Sequence, residues 1–313
     1  KGAQYFTKLT FVGATSSAAT FAAGANVTNE VEFTAADQVL TFGGDSTLTG
    51  GINFAAKASL LVLDSSDKNS TFTGAISTTT NKTGALEIEG ENLFTVASTV
   101  GSNGHALSSV TVADDANAAF SSSIYAQDIT VGSGSAKFGG DVNGAITLNS
   151  GTITVADEVD INGTIGSESK AGYLVLDGTT TVTGAISDLT NISAAPSGKT
   201  VGFDSTVSAS TIDIASGTVN FNGDVDANIA VKGGTVNIAN GVDITGAIDN
   251  TKASNTGYIT FAGSSVVSEA IGGTYAFNTI TTTANSTASL QGGVNAQTLV
   301  FNGDVLFGSN TTI

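Results

Sequence analysis

A chain of 313 residues with 39 glycines, one proline, one histidine and no cysteine cannot carry a disulfide framework or a cysteine-based metal site. Its formal net charge of −17 sets 27 acidic residues against ten basic ones, every one of them lysine. Nucleic-acid binding is disfavoured, because counterion release and guanine readout both need basic clusters, whereas an acidic exterior gives solubility or repels a like-charged neighbour.

No run of about 18 apolar residues exists, so no membrane-inserting helix is expected in this segment. The chain opens on Lys1, with no basic stretch leading into an apolar one, and reads as a mature or excised part of a longer precursor. Lack of cysteine suits a chain that crosses an oxidising compartment unfolded.

In chain order, residues 14–25 are nearly low-complexity and predict a loose coil. Leu40-Thr-Phe-Gly-Gly-Asp45 resembles Phe138-Gly-Gly-Asp-Val142, but at an offset of 96, so residues 1–69 are the less regular part. From about residue 70 to 313 short runs alternate apolar and polar: Leu86-Glu-Ile88, Thr111-Val112, Thr152-Ile-Thr-Val155, Thr218-Val-Asn-Phe221 and Val236-Asn-Ile238. Period-2 alternation of β-branched residues between Gly, Asn, Asp and Ser is the strand signature, and helical periodicity is nearly absent. Pro196, in Ser193-Ala-Ala-Pro-Ser-Gly198, predicts a loop between strands.

The strands recur. Gly151-Thr-Ile-Thr-Val-Ala-Asp-Glu-Val-Asp-Ile-Asn-Gly-Thr-Ile165 returns, at an offset of 83, as Gly234-Thr-Val-Asn-Ile-Ala-Asn-Gly-Val-Asp-Ile-Thr-Gly-Ala-Ile248. A third copy begins at Thr73-Gly-Ala-Ile76. Within that period Ile146, Ile165 and Ile186 are 19 and 21 apart, and Ile229, Ile248 and Ile271 are 19 and 23 apart. About twenty residues cannot close a core alone, but they fit one coil of a stack. The prediction is an all-β parallel β-helix (β-solenoid) running continuously over 1–313, with about 20 residues per coil and four coils in each 83-residue super-repeat. At about 4.8 Å per coil, roughly fifteen coils would make a rod near 70 Å long. Ile153, Val155, Ile161, Val236, Ile238 and Ile244 should point inward, and Thr152, Thr154, Asp160 and Asp243 outward. Glycines should mark corners of positive φ or close approach. The segment between Ile165 and Gly172, shorter by two than that between Ile248 and Gly257, should be a surface loop.

Candidate chemistry is thin. His105, in Gly101-Ser-Asn-Gly-His-Ala106, would have to serve any Ser-His-Asp triad, yet no nucleophile elbow accompanies it, and Gly132-Ser-Gly134 reads as a turn. Asp157 with Asp160, or Asp224 with Asp226, could approach the spacing of a glycosidase pair. They recur with the repeat, as turn residues do, and no arginine or aromatic platform stands beside them. The Gly-Asp elements at Asp45, Asp141, Asp224 and Asp304 are too sparse for a calcium roll and allow at most weak calcium binding. The sequons Asn26-Val-Thr28 and Asn81-Lys-Thr83 are expected by chance in so Thr-rich a chain. No catalytic, cofactor-binding or metal residue is assigned.

Thr245-Gly-Ala-Ile-Asp-Asn250, Thr183-Gly-Ala-Ile186 and the Thr/Val/Asn/Gly background resemble the passenger domains of rickettsial-type autotransporters, the surface-cell-antigen and outer-membrane-protein-B class. The resemblance covers most of residues 70–290. It implies a secreted solenoid displayed on a Gram-negative surface as adhesin or coat, without carrying over any functional residue. The expected function is therefore extracellular, structural or adhesive and non-enzymatic, spread over a repeated surface. Its partners would be further copies, other cell-surface proteins or a host receptor. A self-assembling filament, sheath or surface-layer subunit is the alternative, since unpaired end strands invite association. A polysaccharide-acting β-helix is the enzyme reading.

Overall fold

The computed structural model describes residues 4–12, 16–22, 25–43, 47–55, 58–253 and 255–308, and among them it contains strands and turns but no helix. The chain forms two compact units, Lys1–Thr154 and Val155–Ile313. Each is a stack of parallel strands whose successive turns lie roughly 21 residues apart: a β-solenoid, as the repeat predicts.

In the first unit, side chains one turn apart pair in long ladders. One runs Ala19, Leu40, Leu61, Leu86, Val110, Ile129, Ile146. A second runs Val31, Ile52, Ile76, Val100, Ile124, Val142. Near the start the core is aromatic, with Phe11 stacked on Phe33 and Phe33 on Phe54, each pair at a centroid distance of 5.1 Å. Each fully buried Phe, Ile or Leu contributes about 1.5–3 kcal/mol of transfer free energy.

The second unit has three ladders per turn. The first is Ile165, Ile186, Val207, Val225, Ile244, Val267, Leu290. The second is Leu174, Ile192, Ile212, Ile229, Ile248, Ile271, Val294. The third is Ile161, Val182, Phe203, Phe221, Ile238, Phe261, Thr282. No member exceeds 4% exposure. Ile153, Val155, Ile161, Val236, Ile238 and Ile244 are all buried, while Thr152, Thr154 and Asp160 are half-buried and Asp243 is exposed, as alternation requires.

These ladders correct the expected phase of the repeat. Four turns of the first ladder run from Ile165 to Ile244, an offset of 79. The sequence repeats at an offset of 83, so Ile165 and its copy Ile248 stand in different ladders, the first and the second. Likewise Ile161 stands in the third ladder and its copy Ile244 in the first. One sequence repeat is four turns plus one face, and copies do not stack on each other.

The excess has a visible counterpart in corners that advance the chain by four positions. From Ile161 to Phe221 such corners pass from the third ladder to the first (Ile161 to Ile165, Val182 to Ile186, Phe203 to Val207, Phe221 to Val225). From Val225 onward they instead join the first ladder to the second (Val225 to Ile229, Ile244 to Ile248, Val267 to Ile271, Leu290 to Val294). These tight corners bring backbones so close that a Cβ on Gly184 would lie 2.2 Å from the carbonyl oxygen of Gly163, and one on Gly246 2.2 Å from that of Ala227. At Gly184 the requirement is close approach; at Gly246 a φ of 134° adds a conformational one. Pro196 lies between the strands Ile186–Ala194 and Thr200–Phe203, as expected; of the segment between Ile165 and Gly172 only Glu168–Lys170 is exposed, Gly166 being in a strand and Ser167 buried.

Candidate functional site

Three of the four acidic residues singled out by spacing hold turns together. Asp157 Oδ1 accepts the Thr179 N–H at 2.8 Å, and Oδ2 pairs with the Lys199 ammonium. Lys199 first, and the Thr179 amide second, hold the Asp157 carboxyl below the ordinary carboxylate range. Asp160 Oδ1 accepts the Thr181 N–H at 2.7 Å. In the next copy Asn240 accepts the Ser264 N–H and Asp243 the Val266 N–H, both at 2.9 Å. The repeat thus keeps a bond from each corner to the following turn, although the copies sit at different corners. Asp224 accepts the Asp243 N–H at 2.9 Å, while Asp226 stands exposed on the strand Val225–Val231.

The other candidates are scattered. His105 is exposed in a tight turn, where its backbone N–H donates to the Ser102 carbonyl at 2.9 Å and Ser102 returns a bond at 3.1 Å. Asp141 is half-buried, Asp304 is exposed, and Asp45 lies outside the described residues. Among the described residues no group of three or more His, Asp or Glu could hold a metal ion. Asn26 is half-buried in the strand Ala25–Phe33, and Asn81 accepts the Ala106 N–H at 2.9 Å. Tyr173 and Tyr258 are nearly half exposed but flank the second and third ladders respectively, so their rings share no face.

Two charged surfaces escape the sequence reading. In the first unit Glu89 pairs across with Asp64 in the parallel register, next to Glu87. Partial burial, then Glu87 and Asp64, push the Glu89 carboxyl above its ordinary range. In the second unit Lys232 and Lys252 bound a cavity of about 510 Å³ with Ala215, Ser216 and Thr251. Asp213 holds the Lys232 ammonium at 3.2 Å and itself accepts from Asn191 Nδ2 at 2.9 Å. The unequal spacings of Lys199, Lys232 and Lys252 carry no period, so only the turn count reveals that the last two share one corner.

No family model matches the chain, and no solved structure does. Among characterised proteins it is similar to outer membrane protein A of Rickettsia rickettsii, with 34% identity over 162 residues. The match takes in 48% of this chain and only 7% of that protein's length. No helix among the described residues is long and apolar enough to cross a membrane. Over about half its length this chain is therefore similar to a rickettsial outer membrane protein, and its described residues form a helix-free parallel solenoid.

Proposed function

We propose that the chain is a non-catalytic, passenger-type segment of a protein displayed on the outer surface of a Gram-negative bacterium, acting as an adhesin or coat through its repeated exterior. The observation that carries this reading is the pairing of a parallel solenoid with similarity to a rickettsial outer membrane protein. The commitment of Asp157, Asp160 and Asp224 to turn-to-turn bonds supports a structural use for three of the four carboxylates that spacing raises as candidates. The test is an epitope tag in the exposed loop Glu168–Lys170 of the full-length protein. Intact cells should bind anti-tag antibody and lose the signal to external protease. Labelling only after permeabilisation would overturn the reading.

End-to-end assembly is the second reading, since any open end of a stack of parallel strands presents unpaired backbone groups. Sedimentation velocity on the purified chain separates the two: concentration-dependent polymers favour assembly, and a monomer favours the adhesin or coat.

A further inference from the structure

The second unit sets fourteen acidic residues against four lysines, yet two of those lysines meet at one corner. There the links Ile214–Thr218 and Val231–Thr235 and the start of the one that follows Asn250 come together. They border an open surface hollow of about 510 Å³ that carries Lys232 and Lys252. Lys232 is fixed by Asp213, whereas Lys252 has no carboxylate partner among the described residues. A Cβ on Gly233, which has a φ of 102°, would sit 3.9 Å from Lys252 Nζ, so this lysine lies across bare backbone. Ser216 and Thr251 are the hydroxyl-bearing residues of the hollow's lining.

We propose that this corner pocket binds the carboxylate of an acidic sugar, of the uronic or sialic acid type, on an otherwise neutral glycan. Two ammonium groups against one carboxylate leave a local surplus of one positive charge, which suits a single anionic group. The strongly negative surroundings repel a polyanion such as a sulfated chain, since that field acts over about 8 Å at physiological salt. The hollow is wide enough for a sugar ring, and its mixed lining, mostly apolar with the hydroxyl residues Ser216 and Thr251, suits a pyranose, which has both an apolar face and hydroxyls. This inference deepens the adhesive reading, and its failure would leave surface display untouched.

The test uses the whole chain and the α-methyl glycoside of N-acetylneuraminic acid, followed by saturation-transfer NMR, with its methyl ester as uncharged control. The acid should bind with a Kd of about 1 mM and the ester should not. Lys252→Gln should weaken binding about fivefold with an unchanged circular dichroism spectrum. Lys252→Glu should abolish it. Equal binding of the ester, wild-type affinity in Lys252→Gln, or no binding of the acid at about 20 mM would each overturn the proposal. Tighter binding of acetyl-Gly-Gly with a free C-terminus would reassign the pocket to peptide carboxylates and overturn the sugar assignment.

Discussion

Ile161-Asn-Gly-Thr-Ile165 and Ile244-Thr-Gly-Ala-Ile248 are the same piece of chemistry at two different corners of one solenoid. The earlier segment turns the chain from the third ladder to the first, and the later one turns it from the first to the second. Local sequence therefore decides how sharply a corner bends, because glycine permits the backbone contact a tight corner needs. Which face the corner joins is decided by the residues spent on all the turns before it. Between the two segments the first-ladder spacing falls from 21 (Ile165 to Ile186 and Ile186 to Val207) to 18 and 19 (Val207 to Val225 and Val225 to Ile244). Those shorter turns let the second copy arrive one face on.

The largest effect expected from this comparison comes from changing the count. Deleting Val207–Ala215, half a turn, puts Ser216 where Val207 stood and Gly223 where Ile214 stood. The second unit should lose cooperative unfolding by circular dichroism. Deleting Val207–Asp224, one full turn, brings Val225 onto Ile186 and should leave a folded, shorter stack, because each turn touches only its neighbours. Equal stability of the two deletions would show that the ladders do not set the fold.

Ile212→Ala empties a fully buried site in the second ladder and should cost about 2–4 kcal/mol in urea unfolding. Gly184→Ala should cost about 2–3 kcal/mol, because the new methyl meets the Gly163 backbone, which can retreat only by opening the corner. Gly202→Ala is the control: its nearest neighbour is the Thr181 methyl at 3.7 Å, and the change should be neutral or stabilising by about 0.5 kcal/mol.

The smallest effect lies in the first unit. Glu89 has its carboxyl pushed up by burial and by Glu87 and Asp64, so the folded state binds its proton more readily than the unfolded one. Stability from this group therefore falls as pH rises from the ordinary Glu value, 4.5, through the raised folded value. Glu89→Gln should raise stability at pH 7 by about 0.3–0.5 kcal/mol after solvent screening, and the gain should vanish below the carboxylate range. A loss at pH 7 would contradict the assigned strain.

Strand positions and the inward side chains are legible because alternation is local: Val236 and Ile238 need only their own neighbours to be placed. The corner role of Asp157 and Asp160 is legible from recurrence. The phase of the repeat is not, since Ile161 and Ile244 match in sequence and only their three-dimensional partners, Val182 and Val267, show different ladders. Nor does sequence separate corner glycines that need positive φ from those that need close approach. Positive φ occurs as well at Asp115, Glu158, Asp188 and Asn285, where short polar or exposed side chains tolerate it. The lysine pocket stays hidden for the same reason as the phase: it depends on turn lengths summed over several coils.

The central claim, that one sequence repeat exceeds four turns by one face, has a direct chemical test in a chain free of cysteine. Along the third ladder Asn220 faces Asn237 one turn on, with Asn237 Nδ2 donating to Asn220 Oδ1 at 2.8 Å. Were the copies stacked in phase, Phe221 would lie under Ile244 and Asn220 would face Asp243 instead. Two double variants, Asn220→Cys with Asn237→Cys and Asn220→Cys with Asp243→Cys, separate the cases by intramolecular disulfide formation under mild oxidation, because a bridge needs Cα atoms about 4.4–6.8 Å apart. The account predicts loss of free thiol in the first pair and retention in the second. Cross-linking of Asn220→Cys with Asp243→Cys, and none with Asn237→Cys, would contradict it.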